Sequence, residues 1–165
     1  MRLLAPVVAA ALAAVAFSAP VAGQKADDQI APKSLELQKQ GAGFLSAGKF
    51  DSAEDALEAS LAVDPRNRWA FVDLARVAEK QHLYGKAIRM SNKALMLEPN
   101  DPDAIAVQGE AMVEMGAIAR AQQNLQKLQQ ICGAKSCPQV AQLSAAISRG
   151  PAVASVKTPD TAKRD

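Results

Sequence analysis

Between residues 34 and 148 the apolar positions recur at helical spacing, not at the two-residue period of a strand. Phe71, Leu74, Ala75 and Ala78 fall at i, i+3, i+4 and i+7 on one stripe. Ala87, Met90, Ser91, Ala94 and Leu95 make a second stripe directly after it, so the stretch predicts two consecutive helices. The same layout returns along the chain. Phe50, Tyr84 and Ile118 stand 34 residues apart, and so do Ala53, Ala87 and Ala121; Gly41, Ala75 and Gly109; and Pro65 and Pro99. Columns held at one period mark a repeat architecture, each unit being a pair of helices. The small residues in two of the columns let the paired helices approach closely, where larger side chains would overpack the interface.

Punctuation follows the same period. Asn67 and Asp101 are placed to cap outgoing helices, the latter with Pro102 at the first helical position. Asp51 followed by Glu54 predicts a capping box, and Pro65 and Pro99 stop the helices before them. One repeat cannot bury its own apolar stripe, so about three units and a terminal cap are the physical minimum. Pro138 opens a last helix whose Val140, Leu143 and Ile147 form a stripe, predicted to cover the open side of the third unit.

These columns resemble the tetratricopeptide repeat. Leu37, Gly41, Phe44, Ala53, Leu57 and Pro65 match its pattern in the first unit. Phe71, Leu74, Ala75, Ala78, Ala87, Ser91 and Pro99 match it in the second. Ile105, Gly109, Met112, Ala121 and Leu125 match it in the third, with Gly133 where a proline would stand. The departures are the absence of tryptophan from the first apolar column, and Gln40 and Gln108 in place of leucine. The resemblance implies an all-α fold: a right-handed solenoid of three helical hairpins with a C-terminal capping helix over residues 34–148. It also implies a protein-binding scaffold and not an enzyme.

In that family the first helix of each unit lines a concave groove. The resemblance places Leu35, Gln38, Ala42 and Leu45 there from the first unit, and Trp69, Val72, Arg76, Glu79 and Lys80 from the second. Asp103, Ala106, Glu110, Val113 and Glu114 follow from the third. On this reading Leu45, Trp69 and Val72 form an exposed apolar patch, beside a basic pair and then an acidic end. Exposed Trp and Arg are the residue types most enriched in binding hot spots; the alternative is that Trp69 folds back onto its neighbours and the charges are simply solvated. Some family members clamp a terminal carboxylate with paired lysines and asparagines. Ala42 and Asp73 occupy relevant places here, which disfavours that mode. The stretch from Leu128 through Cys132 and Cys137 to Ile147 also looks like the ending of small exported repeat proteins of Gram-negative bacteria.

The first residues read differently. A positive start at Met1-Arg2, an apolar run from Leu3 to Phe17 and small residues from Ser18 to Gly23 have the layout of a secretory signal, with cleavage expected near Gly23-Gln24. The run falls short of the roughly 20 residues a bilayer needs, so no membrane insertion is expected after cleavage. Residues 24–33 form a polar leader, and residues 149–165 lack an apolar stripe and are expected to be a disordered tail. The expected location is the periplasm.

Composition narrows the chemistry. The chain is 49% hydrophobic but only 4% aromatic, which favours close-packed helices, and its formal charge of +2 comes from interspersed signs. No basic block points to nucleic acid. Cys132 and Cys137 are the only cysteines, and export would place them where disulfides form. A bridge between them would pin the last helix to the array. The alternatives are free thiols, a redox-active pair or a metal site. Their spacing is not that of oxidoreductases, and further zinc ligands are missing. His82 reads as a turn residue, and no phosphate loop, nucleophile elbow or metal-ligand pattern occurs. No cofactor, metal or catalysis is expected. The expected partner is a peptide or helix of another envelope protein; the alternatives are a homodimer, or a thiol-redox helper acting through Cys132 and Cys137.

Overall fold

The computed structural model describes residues 29–133 and 137–152, which form seven helices and no strand. The predicted secretory signal and the tail beyond residue 152 lie outside the described residues, as do residues 24–28 of the predicted leader. α1 (Pro32–Ser46) pairs with α2 (Phe50–Val63), α3 (Arg68–Lys80) with α4 (Tyr84–Leu97), and α5 (Pro102–Glu114) with α6 (Ile118–Cys132). α7 (Pro138–Arg149) lies against both α5 and α6. The first helices of the hairpins also touch in series, α1 with α3, α3 with α5, and α5 with α7. The array is therefore a solenoid of three helical hairpins and a cap, the architecture expected from the repeat columns.

Each hairpin turns in the same way. Gly48, His82 and Gly116 sit 34 residues apart with φ of 72°, 60° and 76°. Beyond each, a backbone N–H reaches back five residues: Lys49 to Phe44, Leu83 to Ala78 and Ala117 to Met112, at 2.9, 2.7 and 2.8 Å. This left-handed closure satisfies the end of the first helix and aims the chain into the second. It also corrects the capping box expected at Asp51 and Glu54. α2 starts at Phe50, its cap residue is Lys49 with no side-chain bond, and Asp51 falls inside the first turn. The turn leaves no separate N-cap position for a side chain to fill.

Between hairpins, side-chain caps take over. Asp101 Oδ1 accepts from Asp103 N at 2.9 Å and Ala104 N at 3.1 Å, and Asn67 Oδ1 accepts from Ala70 N at 3.4 Å. Asn67 is fully buried, and its amide also donates to Ser34 Oγ at 2.9 Å and Ser60 Oγ at 3.1 Å, locking the first two hairpins through a polar cluster. Just before α1, Ala31 N donates to Asp64 Oδ2 at 3.0 Å, and Arg66 pairs with the same carboxylate at 3.1 Å. That environment, Arg66 first, holds the Asp64 carboxyl well below the usual carboxylate range.

The core is built from alanine and a few large aliphatic residues. Ala53, Ala87 and Ala121 are completely buried, as are Leu57, Leu128 and Leu143. Two glycines have no room for a side chain. A Cβ on Gly41 would lie 2.5 Å from Leu57 Cγ, and one on Gly109 would lie 2.7 Å from Leu143 Cδ1. Leu143 thus seats α7 directly on α5. The Cys132–Cys137 disulfide, with Cα atoms 5.8 Å apart, ties the end of α6 to the start of α7.

Gln108 takes the leucine column into the core at 7% exposure without stranding its amide. It donates to Asn92 Oδ1 at 2.6 Å and accepts from Asn124 Nδ2 at 2.9 Å, so a departure from the repeat pattern is matched by two asparagines.

Candidate functional site

The concave face is formed by α1, α3 and α5, and the repeat register identifies which positions reach it. Three columns stay accessible in every unit: Leu35, Trp69 and Asp103; Ala42, Arg76 and Glu110; and Ser46, Lys80 and Glu114. Read unit by unit, the face is neutral, then basic, then acidic. Three residues expected in the groove are not there. Val72 is 2% exposed and packs with Ala94 and Ala104, Ala106 is 1% exposed beside Leu143, and Val113 is fully buried with Ala121 and Ala146. They face the following hairpin or the cap. An inner helix packs on two sides, against its own partner helix and against the next unit, so its buried arc is wider than one stripe. The apolar patch therefore shrinks. Leu45 is half-buried against the first core cluster, leaving Trp69 at 42% exposure as the accessible apolar side chain of α3.

Trp69 does not fold back onto its neighbours. The Arg68 guanidinium lies 4.3 Å from its ring centroid, and Arg68 is itself anchored by an ion pair to buried Asp101. The ring is held by a cation while the residue stays exposed.

The floor of the groove is a continuous polar ladder. Gln38 Nε2 on α1 donates to Asp73 Oδ2 at 2.5 Å, and Arg76 Nη1 donates to Asp73 Oδ1 at 3.0 Å. Arg76 Nη2 then reaches Asp103 Oδ1 on α5 at 2.7 Å, and Gln139 Nε2 on α7 donates to the same oxygen at 3.1 Å. One chain of bonds thus crosses α1, α3, α5 and α7. Arg76 and Gln38 are consequently part of the scaffold of the face. Lys80 is exposed and enters no ion pair among the described residues.

At the C-terminal ends of α3 and α5 the groove deepens into a cavity of about 320 Å³, lined by Leu45, Ser46, Arg76, Glu79, Lys80, Val107, Glu110 and Gln142. Burial, and then the charge of Glu110, push the Glu79 carboxyl up to about 8. Burial also raises Glu110. Glu110 Oε1 is buried without a hydrogen-bond partner of its own among the described residues. A second hollow of about 240 Å³ shares Glu79, Lys80 and Glu110 with the first and adds His82, Tyr84, Glu114 and Arg149.

Sequence reasoning missed Arg68 and Gln139. The first lies on the ring of Trp69 and the second closes the ladder from the cap. Their signal was positional: each stands one residue from a groove or capping position already in view. Among the described residues no group of three His, Cys, Asp or Glu side chains is placed to hold a metal ion. Nor is any helix among them long and apolar enough to cross a membrane. Cys132 and Cys137 lie outside the concave columns.

No known family model and no curated protein sequence matches the chain. Solved structures do. The second TPR domain of human RPAP3, in complex with the HSP70 peptide SGPTIEEVD, aligns at TM-score 0.62 and 21% identity over 70% of this chain and 95% of that one. The TPR2B domain of yeast Sti1, in a complex with pHsp70, aligns at TM-score 0.65 and 20% identity over 72% and 98%. The Yersinia enterocolitica type III secretion translocator chaperone SycD aligns at TM-score 0.63 and 19% identity over 72% and 89%. With the hairpin columns and the recurring turn, these likenesses establish that the chain adopts the tetratricopeptide-repeat fold.

Proposed function

We propose that this chain is an exported protein-interaction module that holds a peptide or helical segment of another envelope protein against its concave face, in the periplasm and without catalysis of its own. The observation that carries the reading is Trp69, exposed on a braced floor with Arg68 stacked on its ring. A rigid aromatic anchor with a polar surround is the arrangement in which a few side chains supply most of the binding energy. Structural relatives solved with HSP70 and HSP90 peptides support a peptide-sized ligand. The layout of residues 1–23 supports export. The ligand differs from a carboxylate-terminated peptide, because Asp73 puts a negative charge on the floor and Arg76 is already bonded to it.

A pull-down from periplasmic extract tests this, with residues 24–165 as bait and Trp69→Ala with Lys80→Glu as control. Arg76 is left intact, since its loss would disturb the ladder. A partner enriched on the first bait and absent from the second supports the groove. Capture indifferent to the substitutions refutes it. A second reading, self-association, draws on Leu83 and Met115, 49% and 58% exposed, which line a shallow depression with Tyr84 and Arg89 at the hairpin-turn edge. Sedimentation at micromolar concentration separates the two, because a monomer removes the dimer.

A further inference from the structure

The end of α7 directs the chain back onto the concave face. Gly150, at φ 70°, turns it out of the helix, and Ala152 N donates to Glu114 Oε2 on α5 at 2.9 Å. Glu114 lines the hollow that merges with the α3–α5 cavity through Glu79, Lys80 and Glu110. The polypeptide beyond Ala152 therefore departs from the rim of this cavity. No ion pair forms at Glu79, Glu110 or Glu114 among the described residues, although Lys80 and Arg149 share the hollow. The cavity also has apolar walls at Leu45 and Val107.

The next residues have the complementary character. Positions 153–159 read Val-Ala-Ser-Val-Lys-Thr-Pro: three small apolar side chains, one cation at Lys157 and no acid. Lys157 lies five residues beyond Ala152, a stretch that spans at most about 17 Å when extended. Glu110 stands one helical turn from Glu114, about 6 Å along α5, well inside that reach. A tethered segment also meets its site at an effective concentration in the millimolar range, so even weak complementarity fills it.

We propose that the cavity at the C-terminal ends of α3 and α5 is the docking site of the chain's own residues 153–159, with Val153 and Val156 against its apolar wall and Lys157 beside the Glu110 carboxylate. The occupied groove is then shortened to its Trp69 end, and a ligand that spans the whole face must displace the segment. The inference concerns the same face as the function proposed above but needs neither export nor an external partner.

The test is carbodiimide cross-linking of the full chain at low concentration with the disulfide intact, mapped by mass spectrometry. The Lys33–Glu36 and Lys86–Glu54 ion pairs serve as internal standards for the reaction. Docking predicts Lys157 joined to Glu79 or Glu110 several-fold more often than to Glu54, Glu58 or Asp55 on the first hairpin. It also predicts that this yield drops several-fold in about 1 M salt, where the screening length is about 3 Å. Links from Lys157 to Glu114 alone overturn the proposal, because proximity to the departure point is enough to make them. So do links spread evenly over the surface, links to Glu79 and Glu110 that ignore salt, or reacted standards with no link from Lys157.

Discussion

Arg76 on α3 joins Asp103 on α5 at 2.7 Å while holding Asp73 on its own helix at 3.0 Å, so one guanidinium fastens two successive units together. The Asp73 side chain is only 8% exposed and has Gln38 as its other side-chain partner. Arg76→Ala therefore leaves a largely buried carboxylate short of a donor. Its expected cost in urea denaturation is about 1–2 kcal/mol. Lys80→Ala, one helical turn further along and in no ion pair among the described residues, should stay within about 0.5 kcal/mol of the parent. Arg76→Lys should restore little, since an ammonium cannot fork between two carboxylates. Equal effects at positions 76 and 80 would show that the ladder contributes nothing.

The Glu79–Glu110 pair makes stability fall as pH rises. In the unfolded chain Glu79 has its ordinary value of 4.5, and in the fold it stands near 8. The native state therefore binds the extra proton across this window. Its contribution is complete below about pH 4.5 and is lost as pH rises toward 8. Glu79→Gln, which mimics the protonated form, should flatten the dependence and exceed the parent by about 1 kcal/mol above pH 8. Urea titrations at pH 5, 7 and 9 check this; parallel curves for parent and variant would exclude the pair as the source.

Asp64 titrates with the opposite sign. Its carboxyl lies below the ordinary value of 3.8, held by Arg66 and the Ala31 N–H, so its contribution is present above that pH and disappears as the solution is acidified. Asp64→Asn should cost about 1–2 kcal/mol at pH 6 and much less near pH 2. Hydrogen exchange at Ala31 should accelerate in the same variant, because its acceptor is weakened.

Gly109 and Gly43 should respond oppositely to alanine. At Gly109 the added carbon meets Leu143 at 2.7 Å, so Gly109→Ala must push α7 off α5, at a cost of about 1–3 kcal/mol. At Gly43, inside α1, nothing lies within 4 Å, and alanine should stabilise by about 0.5–1 kcal/mol through helix propensity. Limited proteolysis of the Gly109 variant should cut first around α7; unchanged resistance would show that the interface absorbs the methyl.

Much of this architecture was legible from the chain alone because its columns repeat at one period, and a periodic error would have to occur three times over. The caps at Asn67 and Asp101 could be read for the same reason. The predicted capping box at Asp51 failed because a left-handed turn at Gly48 does the work of a cap with backbone atoms. The groove was read less well. Val72, Ala106 and Val113 look outward when a helix is considered with its hairpin partner alone, and turn inward once the next hairpin is added. The ladder was hidden because its links run between unlike columns: Gln38 meets Asp73 35 positions away, and Arg76 meets Asp103 27 positions away. Gln108 looked like a flaw in the pattern until Asn92 and Asn124, 16 positions to either side, are seen to bond it. A lone polar residue in an apolar column is thus best read together with the polar residues half a repeat away.

The seat that α7 takes against α5 also sets how long the concave face is. With the first helices of neighbouring hairpins packed about 10 Å apart, the path from α1 to α5 is about 20 Å, or some six residues of extended chain at about 3.3 Å each. Leu143 in the notch above Gly109 fills the place a fourth hairpin would need, so the path ends there. Under the proposed function, the recognised unit is a short linear motif, the rest of the partner's sequence is free to vary, and many otherwise unrelated chains carry the same address.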